Sequence, residues 1–437
     1  MRLFAKNTSI LSGEVDCPGD KSISQRVIII GALANQNISI TGFLNGEDPL
    51  STLSALNQIG ADISINNNEV TINERGLTFS NPSNSIDLGN SGTGMRLIMG
   101  LIAGTGLKAT IIGDESLMKR PMSRVSIPLN EMGAKVADSK GLPPIEIKPG
   151  VIRDNFAYDM PIASAQVKSS ILLAGVASNK KVSIFEPSIT RDHTEIMLKH
   201  FGLNIKSEEE NDGKRITFTP GNKLLAKDYD VVGDFSSATF LIIAGLIASD
   251  SKISIKNIGL NPTRSGLIDI LIKMGGNIEI KNKNILSGEL VGDIFVESSV
   301  LKGVNISGGV IANIIDEIPI LSIAAACAQG TTRISDAHEL RVKESDRLEA
   351  ISSGLTKLKV KHELFEDGIS IDGGIPKNNN VIEIDSYGDH RIAMSFLIAG
   401  ARSKNGLVVK NCENIKTSFP SFKDIMNSIG MKIDEKN

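Results

Sequence analysis

The chain has 437 residues, with 47 Lys and Arg against 50 Asp and Glu, and its formal charge at pH 7 is -3. This length exceeds a single hydrophobic core and predicts two domains or more. The near balance of charge excludes a general polyanion binder that neutralises phosphates over its whole surface, so any bound anion needs locally concentrated cations.

Cysteine usage and the apolar runs predict a cytoplasmic protein. Cys17, Cys327 and Cys412 are far apart and form no C-x-x-C pattern, so they build no disulfide framework. The start "MRLFAKNTSILSGEVDC" lacks the apolar core of a signal peptide. Runs such as "LIIAGLIA" (241–248) are shorter than the roughly 20 residues of a membrane-spanning helix.

The first predicted element is a buried helix whose N-terminus carries cations and hydroxyls. "PGDKSISQRV" (18–27) places Lys21, Ser22, Ser24 and Arg26 directly in front of an apolar run. A helix N-terminus presents unpaired N–H groups and a partial positive charge, so it favours anions before any side chain is added. The segment therefore predicts an anion-binding site.

Farther along, an amphipathic helix that closes on glycine and leads into a strand occurs six times. The closing residues are Gly60, Gly133, Gly202, Gly275, Lys359 and Gly430. Glycine suits the left-handed position just past a helix. Each copy is preceded by a polar loop and an Ala-, Gly- and Leu-rich helix, which predicts helices packed on all sides. Six repeats predict an α/β protein with two lobes of three, divided near 221–237.

In the first lobe four polar segments each have a plain structural interpretation beside a functional one. "LGNSGTGMR" (88–96) lets a ligand approach the backbone, or simply forms a turn before a helix. "GDESLMKRPMSR" (113–124) is equally a solvated basic loop. "SAQVKSS" (164–170) is explained by N-capping through Ser164, and "ITRDHTEIML" (189–198) by an N-cap with first-turn charges.

The second lobe carries three charged segments at equivalent points. "IDEIPI" (315–320) sets Asp316 and Glu317 before an apolar helix, where carboxylates also favour the helix dipole. By composition, "ELRVKESDRLEA" (339–350) is typical of a solvated helix start. "YGDHRIAM" (387–394) places an arginine at the front of a buried helix, where an unpaired charge is unfavourable.

Each signal is weak alone, but all of them occupy equivalent points of the repeat. If the buried helices of a lobe run parallel, their N-termini converge on one face, and two such faces make an anion-binding cleft. Small, densely anionic substrates are then expected. Carboxylates in this basic setting, above all Asp316 and Glu344, are candidates for proton transfer.

At these residues the sequence resembles the 5-enolpyruvylshikimate-3-phosphate synthase family, which serves the shikimate pathway to chorismate and aromatic amino acids. The resemblance runs from "PGDKSISQR" to "TSFPSF" and covers nearly the whole chain. Its motifs, in order, are "GDESLMKRPM", "SAQVKSS", "NPTRSG" (261–266), "ELRVKESDR" and "GDHRIAM".

The resemblance implies a fold, an activity and partners. The fold would be a two-lobed inside-out α/β barrel of six βαβαββ units, with one lobe over 19–231 and the other over 1–18 and 232–437. A transferase would pass the enolpyruvyl group of phosphoenolpyruvate to the 5-hydroxyl of shikimate-3-phosphate and release phosphate, without metal or organic cofactor. The family precedent favours a cytoplasmic monomer that binds these small molecules and neither nucleic acid nor membrane.

The resemblance also implies which residues bind each substrate. The expected contacts of shikimate-3-phosphate are Lys21, Ser22, Arg26, Ser164, Ala165, Gln166, Arg191, Asp316 and Lys343. The expected contacts of phosphoenolpyruvate are Lys21, Gly92, Arg120, Gln166, Arg347 and Arg391. Asp316 would help to deprotonate the 5-hydroxyl, and Glu344 and Lys21 are the candidates for proton transfer at C3 of phosphoenolpyruvate. Gln25, where the family often has His or Asn, has no expected role.

Two alternatives remain open at this point. The sibling UDP-N-acetylglucosamine enolpyruvyl transferases share the fold and the donor, but they usually carry a reactive cysteine in the loop that here reads "GDESLMKRPM". A ring-forming sliding clamp also contains six βα repeats. A clamp would spread Lys and Arg along many helices facing DNA, whereas this chain concentrates them at helix N-termini.

Overall fold

The computed structural model describes residues 1–34, 36–74, 79–374 and 380–436. Its strands form six sheets of four strands each. The strands are β1 Arg2–Ala5, β2 Ser12–Asp16, β3 Ile38–Thr41, β4 Ile63–Asn66, β5 Glu69–Ile72, β6 Ile86–Asp87, β7 Ala109–Ile112, β8 Lys135–Ser139, β9 Leu142–Lys148, β10 Phe156–Asp159, β11 Val182–Glu186, β12 Asn204–Glu210, β13 Gly213–Thr219, β14 Tyr229–Asp230, β15 Lys252–Gly259, β16 Asn277–Leu286, β17 Glu289–Glu297, β18 Asn305–Ile306, β19 Thr331–Ile334, β20 His362–Leu364, β21 Ile369–Asp372, β22 Ile382–Asp385, β23 Leu407–Lys410 and β24 Ile433–Glu435.

Thirteen α-helices lie within these described ranges. They are α1 Lys21–Ala34, α2 Glu47–Gln58, α3 Gly92–Thr105, α4 Ser123–Glu131, α5 Ala165–Ser178, α6 His193–His200, α7 Phe235–Ile247, α8 Leu267–Lys273, α9 Val310–Ile314, α10 Ile318–Cys327, α11 Arg347–Lys357, α12 His390–Arg402 and α13 Phe422–Ser428. Among the described residues, none of the helices combines the length and the apolar character that crossing a membrane requires.

The six sheets repeat one topology, which confirms the predicted sixfold α/β repeat. In each sheet one strand pairs in parallel with its neighbour, and that neighbour pairs antiparallel with a third strand. Three sheets take a strand that is remote in sequence: β14 pairs with β3, β2 with β15, and β1 lies between β23 and β24. The repeats are therefore closed by strands that local sequence does not place.

The chain forms two compact units. The first unit comprises residues 19–231 together with 286–289, and it contains α1 to α6. The second unit comprises residues 1–18, 232–285 and 290–437, and it contains α7 to α13. Each unit holds three of the six sheets, because β1 and β2 complete sheets of the second unit and β14 completes one of the first.

One helix of each repeat is buried on nearly all sides, as its composition predicts. These helices are α1, α3 and α5 in the first unit and α7, α10 and α12 in the second. Small residues let α3 and α5 approach backbone to backbone: a Cβ added at Gly100 would lie 2.2 Å from the carbonyl oxygen of Ser170, and one at Gly104 would lie 2.5 Å from that of Ala174. Only glycine permits this contact.

The amphipathic helices end in the left-handed conformation that their closing residues predict. The φ angles are 99° at Gly60, 107° at Gly133, 85° at Gly202, 93° at Gly275, 58° at Lys359 and 104° at Gly430. Lys359 adopts the same conformation without the freedom of glycine, so the turn is set by the repeat and not by that residue alone.

An asparagine near the end of three of these helices ties the helix to the following strand. Asn57, Asn130 and Asn427 each accept a hydrogen bond from, and donate one to, the backbone of the residue six positions later. The amide thereby replaces part of the backbone pairing that the turn interrupts. This link recurs at the same place in the repeat, before Gly60, Gly133 and Gly430.

Candidate active site

The N-terminus of α1 carries a buried ion pair. Asp20 precedes the helix, and its Oδ1 accepts a hydrogen bond from the backbone N–H of Ile23 at 2.9 Å. Lys21 is the first residue of α1, and its Nζ lies 2.9 Å from Oδ2 of Asp48 in the first turn of α2. The two side chains are only 14% and 8% exposed. Asp48 was not among the predicted residues.

Arg26 lies one turn farther along α1 and joins three elements of the first unit. Its Nε donates to the Thr194 hydroxyl at 2.8 Å, its Nη2 donates to the Ser169 hydroxyl at 3.1 Å, and its Nη1 donates to the carbonyl oxygen of Ser22 at 3.0 Å. The guanidinium is nearly buried. These three acceptors are neutral oxygens, and together they fix the orientation of the guanidinium.

The glycine-rich segment before α3 combines a turn with a tightly packed helix start. Gly89 has a φ of 53° and turns the chain, as the plain structural interpretation predicted. Ser91 caps α3, because its Oγ accepts from the backbone N–H of Gly94 at 3.0 Å. A Cβ at Gly92 would lie 3.0 Å from Nη1 of Arg120 and 3.2 Å from Nη1 of Arg96. The missing side chain at Gly92 thus leaves room for two guanidinium groups.

Arg120 and its neighbour Lys119 have opposite environments in the predicted basic loop. Arg120 is buried, and its Nη2 donates to Oδ1 of Asn90 at 2.6 Å. Lys119 is 71% exposed and pairs with Glu115, which is 89% exposed. The solvated-loop interpretation is therefore correct for Lys119 and wrong for Arg120, whose buried charge is fixed against the turn before α3.

Gln166 is held by α3. Its Oε1 accepts from Nη1 of Arg96 at 2.6 Å, and its Nε2 donates to the Thr93 hydroxyl at 2.8 Å. Arg96 also donates through Nη2 to the carbonyl oxygen of Pro121 at 3.0 Å. Arg96 was not a predicted site residue, although "GMR" places it one turn into a buried helix, where a charge requires partners.

At the start of α5, Ser164 is the N-cap that its position predicts. Its Oγ accepts from the backbone N–H of Val167 at 3.4 Å, and Ala165 is the first helical residue. Lys168 is fully buried, with its Nζ 2.9 Å from Glu186 and 2.8 Å from Glu195. Burial disfavours its charge, but the two carboxylates outweigh burial and raise the pKa of Lys168. Lys168 is therefore a buried, structural cation.

The segment before α6 separates Arg191 from His193. Arg191 is partly exposed immediately before the helix. His193 is buried, and its Nδ1 lies 2.7 Å from Oε1 of Glu289, which belongs to the first unit. His193 is thus a structural residue, as a lone histidine at a helix start most often is. Asp192 occupies the N-cap position without a side-chain capping hydrogen bond.

In the second unit, Arg347 is the centre of a cluster of carboxylates. Its Nε donates to Asp389 at 2.8 Å, its Nη1 donates to Asp316 at 3.2 Å, and its Nη2 donates to Glu344 at 2.5 Å. Its side chain is only 1% exposed. Burial opposes its charge, but the three carboxylates raise the pKa of Arg347 further above its usual range. The solvated interpretation of "ELRVKESDRLEA" is wrong for this residue.

Asp316 accepts from side chains and does not cap a helix. Besides Arg347, its Oδ1 lies 3.7 Å from Nζ of Lys343, and its Oδ2 lies 4.0 Å from Nη2 of Arg391. Helix α10 begins two residues later, and no side-chain capping hydrogen bond is found at its N-terminus. Partial burial lowers the pKa of Lys343, and the charge of Asp316 offsets part of that effect.

Arg391 lies in the first turn of α12 and is held from two sides. Its Nη1 donates to the carbonyl oxygen of Asp316 at 2.9 Å and to Oε1 of Glu317 at 3.4 Å. Asp389 caps α12 by accepting from the backbone N–H of Arg391 at 2.8 Å. Since the other oxygen of Asp389 accepts from Arg347, one carboxylate sets the positions of both arginines.

Glu317, which also contacts Arg391, is fully buried, and its environment differs from the helix-capping interpretation of "IDEIPI". Glu317 also accepts from the Ser236 hydroxyl at the start of α7. Arg264 donates through Nη2 to Asp234, the N-cap of α7, at 2.8 Å and to Ser236 at 3.0 Å. The motif "NPTRSG" contained the available signal, because its arginine precedes an apolar helix and needs a buried partner.

The two units present different sets of charged and polar groups. The first cluster consists of Lys21, Arg26, Arg96, Arg120 and Gln166. The second cluster consists of Asp316, Lys343, Glu344, Arg347 and Arg391. Among the described residues, no group of three or more His, Cys, Asp or Glu side chains is arranged to hold a metal ion. The clusters are suited to binding anions and to moving protons.

Comparison with known proteins identifies the family. The sequence profile described as "EPSP synthase (3-phosphoshikimate 1-carboxyvinyltransferase)" matches residues 5–426. The chain belongs to the EPSP synthase family. A 3-phosphoshikimate 1-carboxyvinyltransferase from Ruthia magnifica subsp. Calyptogena magnifica is 45% identical over 437 residues, covering 100% of this chain and 99% of that protein. The protein of the same name from Hydrogenovibrio crunogenus is 42% identical and covers 97% of this chain and 96% of its own length.

Solved structures agree with this membership. The EPSP synthase of Acinetobacter baumannii superposes with a TM-score of 0.86 at 39% identity, covering 100% of both chains. The predicted EPSP synthase fold is therefore confirmed. The family names distinguish this chain from the sibling UDP-sugar transferases and from sliding clamps, the two alternatives that the sequence left open.

Proposed function

We infer that this chain is a transferase that moves the enolpyruvyl group of phosphoenolpyruvate to the 5-hydroxyl of shikimate-3-phosphate and releases phosphate. This reaction belongs to the shikimate pathway of aromatic amino-acid synthesis. The structural observation that supports it best is the second cluster, in which Asp316 and Glu344 are held on the single guanidinium of Arg347. It combines groups that can transfer protons with groups that bind anions.

The chemistry requires two proton transfers and one new carbon–oxygen bond. The 5-hydroxyl loses a proton, its oxygen attacks C2 of phosphoenolpyruvate, and C3 gains a proton, which gives a tetrahedral intermediate. Loss of phosphate with a proton from C3 then restores the double bond. We assign Asp316 to the deprotonation of the 5-hydroxyl. Lys343 and Arg347 orient its Oδ1, and its side chain is partly exposed, so the carboxylate is accessible to a substrate. Glu344 and Lys21 are the proposed groups for C3.

Shikimate-3-phosphate is assigned to cations and helix N-termini. Arg26 and Lys21 in α1, and the capped start of α5, offer a fixed positive charge and unpaired N–H groups to its phosphate and hydroxyls. The proposed contacts are Lys21, Ser22, Arg26, Ser164, Ala165, Gln166, Arg191, Asp316 and Lys343.

Phosphoenolpyruvate is assigned to residues that bind through forked guanidinium groups. Arg120 and Arg391 are each nearly buried and anchored by neighbouring oxygens, so their orientation is set before an anion binds. The proposed contacts are Lys21, Gly92, Arg120, Gln166, Arg347 and Arg391.

Phosphate release by the purified full chain tests the reaction. Phosphoenolpyruvate is supplied with shikimate-3-phosphate in one reaction and with UDP-N-acetylglucosamine in the other, and inorganic phosphate is measured. We expect phosphate release only in the reaction that contains shikimate-3-phosphate. Turnover with the UDP-sugar alone would overturn the assignment of the acceptor.

We further propose that the chain acts as a monomer in the cytoplasm. Cys17, Cys327 and Cys412 are all free thiols, as a reducing compartment requires. Light scattering coupled to size-exclusion chromatography measures the mass of the species in solution, and a mass near 46.7 kDa is expected. A mass of twice that value would contradict the monomer.

A further inference from the structure

We propose that Gln25 is a positioning residue for phosphoenolpyruvate: its buried side-chain amide fixes residues 90–94, the turn before α3 together with the first residues of that helix, against α1 and α2. This inference rests on the proposed function, because it concerns one of the two substrates named there. Gln25 lies inside the motif "PGDKSISQRV", yet the ligand assignments leave it without a role.

The amide of Gln25, a residue of α1, bonds to two other elements of the first unit at once. Its Nε2 lies 2.6 Å from Oγ of Ser91, 3.0 Å from Oγ1 of Thr52 and 3.2 Å from the carbonyl oxygen of Asp48. The side chain has no exposed surface. This one nitrogen thus links the second turn of α1 to the start of α2 and to the N-cap of α3.

The surrounding oxygens determine which way the amide faces. The Asp48 carbonyl can only accept a hydrogen bond, and it already accepts from the Thr52 hydroxyl at 3.1 Å. Since the Thr52 hydroxyl donates to that carbonyl, its oxygen accepts the hydrogen bond from Nε2 of Gln25. Ser91 Oγ accepts from the N–H of Gly94 and from Gln25 together. Reversing the amide would place its oxygen against the Asp48 carbonyl and remove the hydrogen bond to it, so the observed orientation is the favourable one, although Oε1 then has no hydrogen-bond partner among the described residues.

The start of α3 packs closely against the amide and its partners. A Cβ added at Gly94 would lie 2.6 Å from Thr52 Oγ1, 2.8 Å from Ser91 Oγ and 3.2 Å from Gln25 Nε2. Glycine at this position lets the helix start approach the three polar groups. Gly94 of "LGNSGTGMR" and Gln25 of "PGDKSISQRV" therefore take part in the same contact between the two motifs.

The contact lies behind the groups assigned to phosphoenolpyruvate. On one side, Asp48 pairs with Lys21, one turn before Gln25. On the other side, Asn90 next to the capping Ser91 accepts from the buried guanidinium of Arg120. The amide therefore sets the position of the α3 turn, and with it Gly92 and Arg120, relative to Lys21. A displacement of about 1 Å at a reacting centre can lower catalytic efficiency about 100-fold.

The test compares Gln25→Met, which keeps the size of the side chain and removes its hydrogen bonds, with wild type. We expect the KM for phosphoenolpyruvate to rise by roughly tenfold. A small shift of Gly92 and Arg120 relative to Lys21 would weaken the contacts of an anion that all of them hold. The dissociation constant of shikimate-3-phosphate alone, measured by calorimetry, should stay within about threefold, because Arg26 is held by other partners. A general loss of packing would not separate the two substrates in this way.

Asn57→Ala is the matched control. It also removes a side-chain amide, from the end of α2 opposite the site, where Asn57 links the helix to Ile63. It should lower the melting temperature and leave both substrate constants within about twofold of wild type. If Asn57→Ala raised the KM for phosphoenolpyruvate as much as Gln25→Met does, the effect would be one of stability, and the proposal would be wrong.

A second variant keeps the test decisive if Gln25→Met does not fold. Gln25→Glu preserves the shape, but its ionised form cannot donate to the Asp48 carbonyl. Burial among carbonyl and hydroxyl oxygens favours the protonated form, so the KM for phosphoenolpyruvate should be closer to wild type at low pH and rise as pH increases. A KM that has the same pH dependence as wild type in Gln25→Glu would overturn the proposal.

Failure of this inference is distinct from failure of the proposed function. If the wild-type chain does not turn over phosphoenolpyruvate and shikimate-3-phosphate, the function is wrong. If wild type turns over and folded Gln25→Met shows unchanged constants for both substrates, only the role of Gln25 is wrong.

Discussion

The two clusters hold their charged side chains in different ways. In the first unit, Arg26, Arg96 and Arg120 each donate to neutral oxygens of hydroxyl, amide or carbonyl groups. In the second unit, Arg347 is held by three carboxylates. A neutral oxygen orients a cation without adding a negative charge, whereas a carboxylate orients it and also adds a group that can take up a proton. The first cluster is thus suited to binding anions, and the second also to moving protons.

This difference is consistent with the different roles, anion binding and proton transfer, that we propose for equivalent points of one repeat. Every buried helix begins with a favourable N-terminus, but the residues added there decide whether the charge is available. Carboxylates close to arginines stay in place as proton acceptors, because their ion pairs fix their position. The comparison makes five predictions, beginning with the largest effect.

Replacing the proposed base should have the largest effect on catalysis. Asp316→Asn keeps the size of the side chain and removes its ability to take a proton. We expect kcat to fall about 10²- to 10⁴-fold, the usual contribution of a general base, with substrate binding largely retained. Phosphate release and calorimetric binding measure the two quantities.

Asp372→Asn is the control for this change. Asp372 pairs with Lys361 at the protein surface, and its replacement should leave kcat unchanged. If Asp316→Asn instead unfolded the chain while activity per folded molecule stayed normal, Asp316 would have a structural role only.

Removing the central cation of the second cluster should reduce stability most. Arg347→Met leaves Asp389, which is fully buried, without its guanidinium partner. Breaking a buried pair from one side costs about 3–5 kcal/mol of unfolding free energy. The unpaired carboxylate favours its protonated form, so the deficit should shrink as pH falls.

Denaturant unfolding near neutral and near mildly acidic pH measures that deficit. Arg341→Met is the matched control, because Arg341 pairs with Asp346 in a partly exposed position. Its loss should lower stability by less than about 1 kcal/mol. Equal losses in the two variants would contradict the central position assigned to Arg347.

Adding one methyl group in the first cluster should affect phosphoenolpyruvate selectively. In Gly92→Ala the new Cβ would press on the flexible tips of Arg120 and Arg96, which can shift. We expect the KM for phosphoenolpyruvate to rise roughly tenfold, with little change in stability. Gly309→Ala, where an added Cβ meets no atom within 4 Å, should match wild type. An unchanged KM in Gly92→Ala would remove Gly92 from the proposed contacts.

At alkaline pH, the KM for shikimate-3-phosphate should depend on the protonation of Lys343. Burial lowers the pKa of this ammonium group, with partial compensation by Asp316. As pH rises toward that lowered pKa the cation is lost, so the KM for shikimate-3-phosphate should increase several-fold. Arginine stays charged, so Lys343→Arg should flatten the profile.

Unfolding does not account for this alkaline loss. A lysine whose folded pKa lies below its unfolded pKa releases its proton more readily in the folded state, so its contribution to stability increases with pH in that window. Thermal melts at each pH check this sign. An equal alkaline rise of KM in wild type and Lys343→Arg would assign the titration to another group.

The smallest expected effect is that of Lys119→Ala. Lys119 and its partner Glu115 are both exposed, so the pair contributes little to stability. Both substrate constants should stay within about twofold of wild type. A larger change would mean that the basic loop, and not Arg120 alone, binds an anion.

Much of the site was predictable where a residue type had only one satisfactory environment. Arg391 at the front of a buried helix required a partner for its guanidinium, and Asp316 and Glu317 supply it. The environment of Arg347 was not predictable, because a segment rich in charges has the composition of a solvated helix start. Only the approach of Asp389 from α12 makes it buried.

Residues that act through other residues were the hardest to predict. Asp48, Thr52 and Ser91 are separated from Gln25 by 23 to 66 positions, and no local pattern joins them. The same holds for Glu317 and Arg264, which meet Ser236 across the second unit. Such contacts depend on how helices pack, and helical periodicity alone does not define their partners.

The sequence by itself determined the repeat, because apolar periodicity and a left-handed closing residue are local properties of the chain. It also determined the charged helix N-termini and, through its motifs, the family. Only the tertiary structure decided which strands close each sheet and which cations are neutralised by carboxylates. These outcomes depend on contacts between residues hundreds of positions apart, such as β1 with β23. Gln25 lies in a motif visible from the start, but its partners appear only when three helices pack together.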